Sequence, residues 1–154
     1  ALPIYAEMIF LLGSLQDETG DKKAAFKTME KLLALHPDNF QALNYVGYTL
    51  AEENRDLDRA MTLLVRANEI APNQSYIIDS LAWAFYKAGK IDDALKEIRR
   101  AVTLDEHTDA SIWEHYGDIA ARAGRKDEAR TAYQKAMELK PDNAEALRQR
   151  LSHL

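Results

Sequence analysis

The sequence predicts an all-α fold, an α-solenoid of stacked antiparallel helix pairs, and three periodic features support this prediction. Prolines recur at intervals of 34, 35 and 69 residues, and the last interval equals two repeats with one proline absent, at Glu106. The six glycines fall at only two positions of that repeat. Small and large apolar residues recur three or four positions apart, the spacing of one helix face. The prolines are Pro3, Pro37, Pro72 and Pro141.

Four repeat units and a final helix follow from this register. Counted from the start of each unit, glycine falls at position 8 or 15, except that Ala82 and Asn54 take these places once each. Asparagine tolerates a left-handed turn conformation better than most residues, so Asn54 is a reasonable replacement there. The predicted units are 6–39, 40–74, 75–109 and 110–143, and 144–154 is predicted to be a capping helix.

Each unit is predicted to contain two antiparallel helices of roughly 12–14 residues, separated by the glycine or asparagine turn. Alanine holds position 20 of every unit, and three of the units also have alanine at position 27. Side chains this small allow two helix backbones to approach closely. Proline at position 32 ends the second helix, because it lacks an N–H and its predecessor avoids the helical region.

This spacing resembles the tetratricopeptide repeat family over essentially the whole chain, and the fourth unit shows the resemblance best. Three residues depart from the family pattern: Gln16 and Ala120 stand at a position that is usually aromatic, and Glu106 stands at the proline position. The resemblance implies a right-handed superhelix whose first helices line a concave groove, as in bacterial proteins of this type. The matching residues of the fourth unit are Trp113, Tyr116, Gly117, Gly124, Ala129, Tyr133, Ala136 and Pro141.

Composition and motifs argue against an enzyme. No glycine remains for a phosphate-binding loop, no cysteine is present, and the histidines show no i, i+4 pairing that would suggest zinc. His115 beside Glu114 is interpreted as an exposed histidine next to a solvated carboxylate, because consecutive helix residues do not face each other. We therefore expect no catalytic residues, no metal and no cofactor. The net charge of −5 argues against nucleic acid as the partner.

The concave positions predict a protein partner. By resemblance to the family, positions 2, 5, 9, 12 and 13 of each unit line the groove, and there acids outnumber bases by seven to two. Five aromatic residues lie among them. Aromatic anchors dominate binding energy and acids favour a cationic partner, so we expect a peptide or protein segment with basic and apolar residues. The predicted binding residues are Phe10, Asn44, Tyr48, Glu52, Tyr76, Asp79, Trp83, Tyr86, Glu114 and Asp118. The alternative is that several of these aromatics, Tyr48 and Tyr86 above all, pack between adjacent first helices.

Two other functions stay open at this point. The array could assemble by end-to-end stacking through Met8–Leu12 and the helix at 144–154, or it could be a regulatory domain of a larger protein. Pro3 lies in register as the end of a preceding unit, so we expect either further repeats before residue 1 or self-association at this end. Met8–Leu12 is too short to span a bilayer, so no direct membrane insertion is expected. The compartment is left open between the cytoplasm, the periplasm and an envelope-anchored larger protein.

Overall fold

The computed structural model describes residues 2–104 and 109–154; Glu106, where a proline was expected, lies outside these ranges. Every regular element in the described ranges is helical, which confirms the predicted all-α fold. The helices are α1 (Leu2–Glu18), α2 (Lys22–Leu35), α3 (Phe40–Glu52), α4 (Leu57–Ile70), α5 (Ser75–Lys87), α6 (Ile91–Leu104), α7 (Ala110–Arg122), α8 (Lys126–Leu139) and α9 (Ala144–Ser152), with a 3-10 turn at Pro141–Asn143.

The chain divides into two compact units, Ala1–Pro72 and Asn73–Leu154. In unit 1, α1 packs on α2 and α3 packs on α4, and contact between α2 and α3 joins the two pairs. In unit 2, α5 pairs with α6 and α7 with α8. There α6 also packs against α7, α8 contacts α9, and the first helices α5 and α7 touch directly. Each unit is therefore built from antiparallel helix pairs stacked side by side.

Side chains just before the helices explain where several of them begin. Asp21, Asn39 and Asp56 each accept a hydrogen bond from the backbone N–H three residues further on, at 2.9–3.2 Å. An oxygen in this position satisfies one of the N–H groups that the first helical turn leaves without a partner. The first turns of α2, α3 and α4 are consequently held by short polar residues encoded at the turn.

The turn inside each helix pair requires a left-handed backbone, as predicted. Gly89, between α5 and α6, has φ of +77°, and Asn54, the predicted substitute for glycine, has φ of +50°. A Cβ added to Gly89 would meet nothing within 4 Å. The requirement for glycine there is therefore conformational, since the surrounding space is open.

The predicted close approach between helices of one pair is also confirmed. At Gly117 in α7, an added Cβ would lie 2.2 Å from the ring of Tyr133 in α8. Ala101 and Ala136, which hold position 27 of the third and fourth repeats, are almost fully buried. Small side chains thus determine how closely the helices nest.

Candidate functional site

A pocket of about 320 Å³ opens in unit 1 beside the last two turns of α3. The end of α1 and the start of α2 complete its walls. We call it the Tyr48 pocket, and its lining residues are Asp17, Lys22, Tyr45, Tyr48, Thr49, Glu52 and Glu53. Two of the predicted binding residues, Tyr48 and Glu52, therefore belong to one cavity.

Asp17 accepts two hydrogen bonds within the Tyr48 pocket. Its Oδ1 accepts hydrogen bonds from the Tyr45 hydroxyl at 2.6 Å and from Lys22 Nζ at 2.9 Å. Burial raises the pKa of Asp17, but these two bonds outweigh burial, so the pKa lies below its usual value. Burial and the adjacent carboxylate raise the pKa of Tyr45, which keeps its proton at neutral pH.

The charge of the Tyr48 pocket is negative, because three carboxylates stand against a single ammonium group. Lys22 pairs with Asp17 near the mouth, where the lysine side chain is 69% exposed. Glu53 forms a second exposed pair with Arg55, at 3.2 Å. Exposed pairs of this kind contribute little energy and rearrange easily.

The sequence prediction missed Tyr45, Thr49 and Glu53. These residues lie one position after the predicted stripe of Asn44, Tyr48 and Glu52. Both stripes have the spacing of a helix face, so periodicity alone cannot choose between two faces that differ by one residue. The contacts of α3 with α1 and α2 decide which face surrounds the cavity.

The two other predicted residues of unit 1 are half-buried. Phe10 lies in the middle of α1, and Asn44 lies one turn before Tyr48 in α3. The Oδ1 atom of Asn44 is buried and accepts no hydrogen bond within the described part of the chain. A buried polar atom without a partner costs about 1–3 kcal/mol, so Asn44 is a poor choice for stability alone.

In unit 2, the predicted binding residue Asp79 instead lies in the interior, within hydrogen-bond distance of His115. Its Oδ1 lies 2.8 Å from Nδ1 of His115, and Asp79 is only 6% exposed. Burial raises the pKa of Asp79, and His115 opposes that rise by its charge and its hydrogen bond. The expectation that His115 is exposed beside Glu114 is wrong: its side chain is 13% exposed and faces α5, because the first helices α5 and α7 pack directly together.

Trp83 extends this cluster by ring stacking. It lies one turn after Asp79, is 7% exposed, and stacks on His115 with the ring centres 4.1 Å apart. Tyr86 stacks on the Trp83 ring with the ring centres 4.8 Å apart, and Lys87 Nζ lies 5.3 Å from the centre of the Trp83 ring. Trp83 was predicted as an open anchor for a partner, but most of its surface is already covered by the chain itself.

Glu114 and Asp118 are balanced by Arg150 of α9. Arg150 Nη1 lies 3.0 Å from Glu114 and 3.2 Å from Asp118, and Asp118 also accepts a hydrogen bond from Tyr133 at 2.7 Å. Arg150 comes after the predicted groove positions in the sequence, so the count of seven acids and two bases at those positions does not include it. Of the predicted residues in unit 2, Tyr76 has the most accessible ring, at 40% exposure, and Tyr86 is half-buried.

The described residues contain no group of side chains that could hold a metal ion. Among the helices in the described ranges, none has the length and apolar character needed to cross a membrane.

The comparisons with known proteins give the class of this chain. The tetratricopeptide repeat family matches it at residues 10–75 and 80–144. Residues 2–104 and 109–154 form the helix pairs expected of such repeats. The chain belongs to the tetratricopeptide repeat family.

Individual relatives support this membership. Over 111 residues the chain is 31% identical to the tetratricopeptide repeat-containing protein PA4667 of Pseudomonas aeruginosa, covering 72% of this chain and 18% of that protein. It is 27% identical to the peroxisomal targeting signal receptor of Candida albicans, covering 84% of this chain and 29% of the receptor. The chain thus spans less than a third of either relative.

A solved structure shows the same fold. The thermophilic tetratricopeptide protein TTC0263 of Thermus thermophilus superimposes with a TM-score of 0.74 at 21% identity, over 96% of this chain and 80% of that one. At this identity the likeness concerns the fold alone.

Proposed function

We propose that this chain is a non-enzymatic interaction module that binds a segment of another protein, and that the Tyr48 pocket receives a basic side chain of that segment. Membership of the tetratricopeptide repeat family supports the general function. The name of the Candida albicans relative, a receptor for a targeting signal, agrees with it. The single observation that carries the proposal is a cavity with an aromatic wall and a surplus of carboxylates.

The chemistry of the Tyr48 pocket favours arginine or lysine. A guanidinium group over the Tyr48 ring gains about 0.5–2 kcal/mol as a cation–π contact. Glu52 and Glu53, consecutive residues at the C-terminal end of α3, can accept charge-assisted hydrogen bonds worth about 1.5–3 kcal/mol each. The volume of about 320 Å³ is at the small end for ligand sites and suits one long side chain.

The other predicted residues have different roles in this proposal. Phe10, in unit 1, offers apolar surface to residues that flank the basic side chain, and Tyr76 is a separate exposed ring of unit 2. Asp79 and Trp83 are positioning residues, because they hold His115 and Tyr86 in place from the interior.

Selection from a random peptide library tests the proposal without a known partner. Displayed 16-residue peptides (a length of about 50 Å when extended) would be captured on the immobilised chain and sequenced. We expect arginine and lysine to be enriched over the input library, and the enrichment to disappear for a Glu52→Gln, Glu53→Gln double variant. Tyr48→Leu, which leaves Glu52 and Glu53 in place, should reduce the enrichment.

The matched control is Asp58→Asn with Glu18→Gln, which removes two exposed carboxylates of unit 1 that do not line the pocket. This variant has the same net charge as the pocket variant and should retain the enrichment. Equal loss in both variants would mean that only overall charge matters. No enrichment of basic residues by the unsubstituted chain would reject the proposal.

A further inference from the structure

The second helix of unit 1 carries a row of lysines on its exposed face. Lys23, Lys27 and Lys31 are four residues apart, so they lie on one side of α2, and all three are exposed. We call these three residues the lysine stripe. At a rise of about 1.5 Å per residue, successive lysines are about 6 Å apart along the helix axis. The stripe is therefore a narrow row of evenly spaced positive charges.

The lysine stripe is not neutralised by neighbouring acids. Within residues 2–104 and 109–154, none of its three ammonium groups forms an ion pair. Glu30, the one acid of α2, has both carboxylate oxygens hydrogen-bonded by Arg59 of α4, at 2.7 and 2.9 Å. Asp21, which precedes the helix, accepts a hydrogen bond from the backbone N–H of Ala24. The positive charge of the stripe is thus available to a partner.

The positions of the lysine stripe are exposed even where another repeat precedes them. In repeat 2, which packs on repeat 1 through α2 and α3, the equivalent residues are Asp58, Thr62 and Arg66, and all three are exposed. In repeat 4, Asp127 and Thr131 are exposed at the equivalents of the first two lysines. A helix packed in front of α1 would therefore leave the lysine stripe accessible.

Stability does not explain the basic residues at the start of the stripe. The first turn of α2 contains Lys22 and Lys23 and no acid. In the other three repeats, the first turn of the second helix contains one or two acids. Acids interact favourably with the positive N-terminal end of a helix dipole, and lysines interact unfavourably with it. The sequence of α2 thus sacrifices some helix stability in order to place positive charge here.

The end of the stripe also lacks an acid that another repeat provides. Arg66, the equivalent of Lys31 in repeat 2, pairs with Glu69 three residues later, at 3.3 Å. In α2 the residue three positions after Lys31 is Ala34. A glutamate in that place would form the same i, i+3 pair. Its absence keeps the charge of Lys31 exposed.

We propose that the lysine stripe binds an acidic segment of a partner protein whose carboxylates are about 6–7 Å apart. This is the spacing of acids four residues apart in a helix, or of alternate residues in an extended strand. The stripe is separate from the Tyr48 pocket, whose proposed ligand has the opposite charge. Exposed lysines attract such a segment by charge complementarity.

Other occupants fit the lysine stripe less well. A second copy of the chain offers no match, because no helix in the described ranges has three acids at four-residue spacing. Nucleic acids and anionic membranes extend far beyond a row of about 12 Å and would meet the rest of a chain whose net charge is −5. A short acidic segment contacts the lysines without that repulsion.

Nuclear magnetic resonance of the isotope-labelled chain tests the proposal, because it locates even weak binding. The probe is a synthetic alanine-rich helical peptide with glutamate at every fourth position. At about 0.1 M salt, where charges more than about 10 Å apart are largely screened, we expect the largest shift changes at the amides of residues 23–31. The same peptide with glutamine in place of glutamate should cause none.

Two triple variants with equal charge changes separate the stripe from overall charge. Replacing all three stripe lysines by glutamine should raise the dissociation constant of the peptide by about 10-fold, the effect of three exposed charge pairs. The control replaces three exposed lysines of unit 2 by glutamine and should retain the affinity; they are Lys90, Lys96 and Lys126. Absence of binding, or equal weakening in both variants, overturns the proposal. Tighter binding of a DNA oligonucleotide or of phosphatidylserine vesicles by the same lysines would also overturn it.

A single substitution distinguishes a binding role from a structural one. Lys23→Glu puts an acid in the first turn of α2, four residues before Lys27, so it should raise the urea midpoint of unfolding. The same variant should bind the acidic peptide more weakly than the unsubstituted chain. A lower midpoint would show that Lys23 stabilises the helix and would overturn the argument that its charge serves a partner.

Discussion

Gly117→Ala is expected to destabilise the fold, although the same substitution in an ordinary helix stabilises it by about 1 kcal/mol. The added Cβ would lie 2.2 Å from Tyr133 Cε1, far inside normal contact. Tyr133 cannot simply move aside, because its ring is 3% exposed and its hydroxyl is bonded to Asp118 at 2.7 Å. The clash must be relieved by moving α7 from α8 or by breaking that hydrogen bond.

The balance of the packing, hydrogen-bond and helix-propensity energies decides whether Gly117→Ala lowers or raises the free energy of unfolding. Overpacking costs about 1–3 kcal/mol, and loss of a hydrogen bond to a charged carboxylate costs about 1.5–3 kcal/mol. Whichever way the clash is relieved, subtracting the helix-propensity gain of about 1 kcal/mol leaves a net loss of up to about 2 kcal/mol in the free energy of unfolding. Urea titration followed by circular dichroism at 222 nm would measure it.

Gly13→Ala is the internal control, since it makes the same substitution at the equivalent position of the first repeat. Its Cβ would meet the end of the flexible Met29 side chain at 2.7 Å, which can rotate away, so we expect a change below about 1 kcal/mol. Adding Tyr133→Leu to Gly117→Ala should recover part of the loss, giving a favourable coupling energy in a double-mutant cycle. An unchanged or higher midpoint for Gly117→Ala would refute the close-approach argument.

Three further substitutions test individual contacts. His115→Leu leaves the buried Asp79 carboxyl without its hydrogen-bond partner and should cost about 1–3 kcal/mol at pH 7. Burial raises the folded pKa of Asp79, and His115 restrains that rise, so the pKa of Asp79 should rise further in His115→Leu. The stability loss of this variant should therefore shrink as the pH falls from 7 towards 4. The Asp79→Asn, His115→Leu double variant is the reference in the same titrations. Asn44→Leu removes a buried acceptor that has no partner and should raise the unfolding midpoint; a lower midpoint would show that Asn44 makes a stabilising contact. Ala101→Leu should overpack the second helix of its pair and cost about 1–3 kcal/mol by urea titration, and no loss would mean that the repeat register is wrong there.

Much of the fold could be predicted because its determinants repeat locally. The left-handed turns at Gly89 and Asn54 and the close contact at Gly117 follow from residue types that satisfy steric requirements wherever they occur. The candidate site was harder to predict. His115 meets Asp79 across 36 residues, a separation at which the pattern within one helix says nothing about the side chain it faces.

The candidate site also depends on small rotations of the helices. A helix turned by one residue, about 100°, keeps its periodicity but exchanges Asn44 for Tyr45 at the cavity wall. Arg150 reaches Glu114 and Asp118 only because α9 packs beside α8 in unit 2. No spacing rule within a single repeat contains that information.

The sequence by itself determined the all-α class, the repeat length, the turns and the apolar run Met8–Leu12, because helix period, backbone sterics and side-chain size act over a few neighbouring residues. Only the tertiary structure decided which acids are buried, which contact Arg150 or His115, and which line the Tyr48 pocket. Those outcomes depend on the rotation and spacing of helices that are distant in the chain, and packing of whole side chains sets both.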